Sequence, residues 1–195
     1  MISAELLLHA YRNGVFPMAI DGGEIGWFSP DPRALIPLDD RFHVPHGLRR
    51  TLKRNPFEIR IDTAFSEVMH GCARRKETWI NPVIRDSYLN LHRLGLAHSV
   101  ETWLDDRLVG GLYGVALGSA FFGESMFHEA TDASKVALYE LVQRLRAQGY
   151  TLLDTQWTTS HLATFGAYEV PRRVYLERLK AAVDRPCQFV LRNPN

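Results

Sequence analysis

Three strand-like segments follow one another with turns of only two or three residues between them, and such short links dictate an antiparallel meander. Residues 98–104 alternate in polarity, Asp105-Asp106-Arg107 turns the chain, residues 108–117 form a glycine-loaded strand, Gly118-Ser119 turns it again, and residues 120–127 complete the set. A long amphipathic helix is expected next, N-capped by Asp132, running to Gln148 and ended by Gly149. Val136, Leu138, Leu141, Val142 and Leu145 form its apolar stripe. Residues 150–156 then read as a fourth strand that enters after the helix.

The preceding part is a mixture of short elements. Ser3 is placed to cap a helix over residues 4–13, which Gly14 ends, and residues 14–18 leave it as a turn. In Trp27-Phe28-Ser29-Pro30-Asp31-Pro32-Arg33 two prolines forbid a helix interior, so these aromatics belong either to the core or to a pocket wall. Strands are expected at 33–38 and 57–61 and helices at 45–54, 64–74 and 82–94. Further helices are expected at 160–165 and 173–183, and a last strand at 188–191. The whole reads as α+β, with roughly the first 95 residues a mixed unit of short elements. The meander, crossover helix and returning strand resemble the mixed sheet of acetyl-CoA-dependent N-acetyltransferases, an analogy of fold that carries no function.

Composition narrows the functional classes. With 46% hydrophobic and 23% charged residues, 195 residues can bury a core without covalent staples. A net charge of +1 does not announce a polyanionic partner. Local clusters at Arg49, Arg50, Lys53 and Arg54, at Arg74, Arg75 and Lys76, and at Arg172 and Arg173 are either basic patches or solvated helix faces. Two distant cysteines and eight scattered histidines offer neither a disulfide framework nor a metal site. No secretory signal and no run of roughly 18 apolar residues is present, so a cytoplasmic protein with no membrane partner is expected.

Two polar signals interrupt strands that otherwise look buried. Glu124 lies in Ala120-Phe121-Phe122-Gly123-Glu124-Ser125-Met126-Phe127, where an unpaired carboxylate would cost several kcal/mol. It either pairs with a core arginine or faces a cleft and holds a cationic group. Asp154-Thr155-Gln156 follows Leu152-Leu153, and period-two geometry puts Asp154 and Gln156 on one face, as a hydrogen-bond relay or as an exposed strand end. The junction His128-Glu129-Ala130-Thr131-Asp132-Ala133-Ser134-Lys135 has no glycine and two acids, so it would receive a CoA pyrophosphate badly.

Eight stretches in order then carry a resemblance. They are Tyr11-Arg12-Asn13-Gly14-Val15-Phe16-Pro17-Met18, Trp27 to Arg33 as quoted, Glu77-Thr78-Trp79-Ile80 and Phe122-Gly123-Glu124-Ser125-Met126-Phe127. Ala133-Ser134-Lys135, Leu153-Asp154-Thr155-Gln156, His161-Leu162-Ala163-Thr164-Phe165-Gly166-Ala167 and Val170-Pro171-Arg172 complete the set. Across nearly the whole chain the sequence resembles the leucyl/phenylalanyl-tRNA–protein transferases of the bacterial N-end rule pathway. The resemblance implies a small mixed N-terminal domain over residues 1–60 and an acetyltransferase-like catalytic domain over 61–195. It also implies transfer of leucine, phenylalanine or sometimes methionine from charged tRNA to proteins with N-terminal arginine or lysine, marking them for degradation. No cofactor is expected, and a monomer is the default because the sequence has no coiled-coil heptads. It matches Asp154 and Gln156 to a proposed catalytic relay and Glu124 to an active-site carboxylate. Trp79, with Trp27 or Phe28, matches the aromatic wall of the donor pocket, and Gly123, Ser125, Met126, Phe127 and Thr159 fall at substrate-binding positions. Where the family often has asparagine shortly after the glutamine, this chain has Thr158-Thr159. An acetyl-CoA enzyme, an aminoacyl-tRNA-dependent transferase with another acceptor and a non-catalytic tRNA-binding module are the competing readings.

Overall fold

A computed structural model describes residues 1–74 and 78–190. The helices are α1 (Ala4–Arg12), α2 (His46–Arg54), α3 (Phe65–Ala73), α4 (Pro82–Arg93), α5 (Ala133–Ala147), α6 (Ser160–Ala163) and α7 (Arg172–Val183). The strands are β1 (Phe16–Ala19), β2 (Ile25–Phe28), β3 (Arg33–Ile36), β4 (Glu58–Ile61), β5 (Ala97–Leu104), β6 (Arg107–Leu117), β7 (Ala120–His128), β8 (Leu152–Gln156) and β9 (Tyr168–Val170).

Local chemistry starts and stops the helices. Ser3 Oγ accepts from the Leu6 N–H at 3.2 Å, and Asn81 caps α4 through Ile84 with Pro82 in the first turn. Gly14 and Gly95 end α1 and α4 in the left-handed conformation that favours glycine. Asp132 behaves differently from expectation. At φ +66° it lacks the extended backbone of a capping residue, and its carboxylate instead accepts from Lys135 Nζ at 2.7 Å and Thr51 Oγ1 at 2.8 Å.

Seven strands form one mixed sheet in the order β4-β5-β6-β7-β8-β3-β9. The meander β5-β6-β7 is antiparallel as expected, and β8 joins β7 in parallel after the α5 crossover. Helices cover both faces. On one face Tyr11 of α1, Met69 of α3, Tyr88 of α4 and Leu179 of α7 pack over Tyr113 and Phe122. On the other, α5 lays Leu138, Leu141 and Leu145 over Leu112, Phe121 and Leu153, beside Leu48 of α2 and Leu162 of α6.

Two elements depart from the sequence reading. Residues 16–19 are not a turn: β1 pairs antiparallel with β2, and Pro17 is tolerated because a two-stranded ribbon is all edge. Residues 188–190 form no strand, and Leu191 lies outside the described residues. Phe189 is apolar because it plugs the core, stacking on His98 at 4.4 Å and on Phe121 at 5.2 Å between ring centres. β9, at residues 168–170, takes the edge position. The expected boundary between residues 60 and 61 falls within β4, which is paired to β5. β3, from the N-terminal part, lies between β8 and β9.

One ion pair locks that insertion. Arg33 on β3 donates to Asp154 on β8 through Nε (2.9 Å) and Nη2 (2.6 Å), and through Nη1 to the Gly14 carbonyl at 3.0 Å. Its guanidinium lies between the rings of Phe16 and Tyr175. Asp154 further accepts from the Tyr175 hydroxyl at 2.7 Å and the Gln156 N–H at 2.9 Å. Both charged side chains are at most 1% exposed. Arg33→Ala should cost about 3–5 kcal/mol in urea denaturation by stranding Asp154. The double variant Arg33→Met with Asp154→Leu should recover part of that loss; equal losses would refute the pairing argument.

Candidate active site

The parallel pairing of β7 with β8 covers only Ala120–Phe122 against Leu152–Asp154. Just beyond it β7 carries a bulge: Tyr113 pairs with Ser125 and Gly114 with Gly123, which leaves Glu124 without a partner on β6. A bulge bends its strand and re-aims a side chain. Gly114 is required there, because a Cβ would lie 2.3 Å from the Phe122 carbonyl oxygen. The strands part at their carboxyl ends, where parallel sheets place ligand sites.

A cavity of about 430 Å³ fills the gap. Leu112, Met126, Leu138, Leu141 and Leu153 supply an apolar floor, and Phe16, Met18 and Trp79 supply one wall. Glu124, Ser125, Gln156, His128, Ser134, Thr159 and His161 bring polar groups to the remainder. Trp157, 41% exposed, lines the same cavity and meets Phe16 edge-on at 5.2 Å.

Glu124 and Asp154 follow Phe122 and Leu152 onto the α1/α7 face, with different outcomes. Asp154 does not line the cavity; it is consumed by Arg33, Tyr175 and the Gln156 N–H. Glu124 is half-buried and lines the cavity. The Tyr11 hydroxyl donates to its Oε1 at 2.6 Å, the Tyr88 hydroxyl lies 3.2 Å from Oε2, and the two hydroxyls contact each other. Desolvation outweighs these donors and pushes the carboxyl up to about 7, with the nearby Asp154 charge adding to the rise.

The expected shared face of Asp154 and Gln156 is corrected. Gln156 sits at φ +60°, which breaks the strand alternation, so it lines the cavity while Asp154 stands behind the sheet. Asp154 holds the backbone N–H of Gln156, and the side-chain Nε2 of Gln156 is buried without a hydrogen-bond partner. His161 Nε2 is likewise buried without one, and burial lowers the His161 pKa, helped by Lys135 and His128.

Of the other anticipated residues, Trp79, Gly123, Ser125, Met126 and Thr159 line the cavity. Trp27, Phe28 and Phe127 do not. Trp27 is exposed on the β1–β2 ribbon, Phe28 stacks on Phe16, and the Phe127 ring fills the space over Gly71. Thr159 Oγ1 caps α6 by accepting from the Leu162 N–H at 3.2 Å. Sequence reasoning missed the α5 leucines as a pocket floor, because a core stripe and a cavity stripe have one periodicity. It also missed Tyr11 and Tyr88, whose hydroxyls converge only through the fold.

Arg49, Arg50, Lys53 and Arg54 are exposed on α2, which packs against α5. Arg74 pairs with Glu129 at 2.6 Å, and Arg75, Lys76 and Glu77 lie outside the described residues. Arg172 is structural, bonded to Asp31 and the Ser29 carbonyl, and Arg173 pairs with Glu177. Two amides before α5, those of Glu129 and Ala130, are already spent on the Val109 carbonyl. Among the described residues no group of three His, Cys, Asp or Glu is placed to hold a metal, and no helix is long and apolar enough to cross a membrane.

An apolar floor beside a few converging polar groups is the form that small-molecule sites commonly take, here on a mixed α+β fold. The family described as leucyl/phenylalanyl-tRNA protein transferase matches residues 35–180, and its N-terminal domain matches residues 1–31. A relative from Akkermansia muciniphila named leucyl/phenylalanyl-tRNA–protein transferase is 60% identical over 94% of this chain and 97% of its own length. One of the same name from Herpetosiphon aurantiacus is 56% identical over 96% of this chain and 98% of its own length. A solved structure of L-PGS from Bacillus licheniformis is 14% identical and covers 80% of this chain and 65% of its own, with a TM-score of 0.49. The chain belongs to the leucyl/phenylalanyl-tRNA–protein transferase family, and it is an aminoacyltransferase.

The raised Glu124 pKa has a stability consequence. The native state binds more protons than the unfolded one between the ordinary value of 4.5 and about 7, so stability falls as pH rises through that window. Thermal melts of the wild type should show that decline and melts of Glu124→Gln should show a flatter profile; parallel profiles would contradict it.

Proposed function

We propose that the enzyme moves leucine or phenylalanine, and less often methionine, from charged tRNA to the α-amine of proteins beginning with arginine or lysine, marking them for degradation. The observation that carries this reading is the cavity itself: a leucine-lined floor meets a half-buried carboxylate and a glutamine whose amide nitrogen has no partner. The floor suits a hydrocarbon side chain of either shape, because apolar contact discriminates by only about 1–3 kcal/mol per methylene. The sheet, with a parallel pair that parts beside a bulge, supports the acetyltransferase-like comparison at the level of fold alone. A cytoplasmic monomer is the setting proposed.

The reaction is aminolysis of an activated ester, so alignment matters more than a strong base. An α-amine has an ordinary pKa of roughly 7.7–8.0, and a useful fraction is already nucleophilic at neutral pH. In this proposal Gln156 Oε1 accepts a hydrogen bond from the incoming nitrogen. Asp154 acts as a positioning residue: clamped by Arg33, it fixes the Gln156 backbone and hence the amide. Glu124 compensates the positive charge of the acceptor. Trp79, Phe16 and Trp157 offer faces for the terminal nucleotide, which single-stranded RNA readers commonly stack. The exposed basic side chains of α2 are the proposed contact for tRNA phosphates.

Supplied with leucyl- and phenylalanyl-tRNA and peptides of varied first residue, the enzyme should label only those starting with Arg or Lys; labelling regardless of the first residue would remove the acceptor reading. Leu138→Phe should shrink the floor, reducing phenylalanine transfer roughly tenfold more than leucine transfer in single-turnover assays. Equal losses would move the donor side chain elsewhere.

A further inference from the structure

The number of protons available around Glu124 limits how it can bond to its two tyrosines. Three oxygen–oxygen contacts close a triangle: Tyr11 hydroxyl to Oε1, Tyr88 hydroxyl to Oε2, and hydroxyl to hydroxyl. Both tyrosines are fully buried, so water cannot complete the set. Each phenol owns one proton, and an ionised carboxylate owns none. With Glu124 ionised, both protons point at the carboxylate and the tyrosine–tyrosine contact brings two lone pairs together. With Glu124 neutral, three protons serve three contacts: Glu124 donates to Tyr88, Tyr88 to Tyr11, and Tyr11 back to Glu124.

We propose that Tyr11, Tyr88 and Glu124 form a closed ring of three hydrogen bonds that favours the protonated carboxyl while the cavity is empty, and that a cationic group entering the cavity displaces this proton. The displaced proton leaves to solvent as the O–H bond of Glu124 breaks. The carboxylate left behind neutralises the incoming ammonium or guanidinium, and both phenols turn to donate to it. The other charges facing Glu124 are Asp154 on β8, which disfavours ionisation, and Arg33 on β3, which favours it but is already held by Asp154. Glu124 thereby becomes a proton-exchanging subsite. A neutral side chain at the acceptor's first position cannot recover the cost of opening the ring, so the subsite selects cations by chemistry rather than by shape. This proposal deepens the acceptor reading above and rests on it.

Two measurements test it separately. Infrared difference spectra of the substrate-free protein against Glu124→Gln should show a protonated carboxyl band that titrates near neutral pH. Tyr88→Phe, and independently Tyr11→Phe, should move that midpoint down by about one pH unit, because each opens the ring. Had the tyrosines been two independent donors to a carboxylate, the same changes would move the midpoint up, and that result overturns the ring. Calorimetry of an Arg-initiated peptide in buffers of different ionisation heat should show close to one proton released per peptide at about pH 6, and almost none from Glu124→Gln. Binding without proton release overturns the exchange alone. No binding at all, with the infrared band intact, overturns the exchange together with the acceptor reading.

Discussion

The Arg33–Asp154 pair is the constraint on which the rest of the molecule depends. Two charges removed from water are tolerable only when they are paired and further hydrogen-bonded, as they are here. Asp154 collects four donors, and Arg33 spends Nη1 on the Gly14 carbonyl while its plane rests between two aromatic rings. The pair fixes β3 against β8, ties both to the end of α1 and orients α7 through Tyr175. It also sets the conformation at Gln156. The residue with the strongest sequence claim to chemistry therefore acts one step behind the cavity, as the anchor of the residue that lines it.

The cavity follows from a second constraint, the bulge in β7. One surplus residue, Glu124, bends the strand where β8 stops pairing with it, and the apolar side chains of α5 are left facing space instead of strand. The bulge also delivers a carboxyl group, backed by two phenols, to the edge of an apolar slot. Opening the sheet and placing an acid in the opening are thus consequences of one irregularity.

Much of this was legible beforehand because it rests on short-range rules. The meander, the α5 crossover and the returning strand followed from turn spacing and periodicity, and the motif order led directly to the family. The failures have identifiable physics. Pro17 hid β1, because a proline argues against a strand unless both neighbours are edges. Phe189 imitated a strand residue while serving as a core plug. Asp132 carried the right side chain for a cap but the wrong backbone. At Gln156 a positive φ overrode the period-two rule, and no side-chain pattern announces that. Arg33 ended a proline-rich loop in the sequence, and its partner at Asp154 is a pairing that only the tertiary fold creates.

The position of β3 between β8 and β9 has an implication for how the chain comes into being. Arg33 and Asp154 are separated by 121 positions, so a growing polypeptide exposes the arginine long before its counter-ion exists. Until then the first strand of the sheet has neither of its neighbours, and α1 lacks part of the surface it packs on. In chain order the sheet is laid down from its β4 edge across to β8, and β3, although made before all of them, can pair only once β8 and β9 exist.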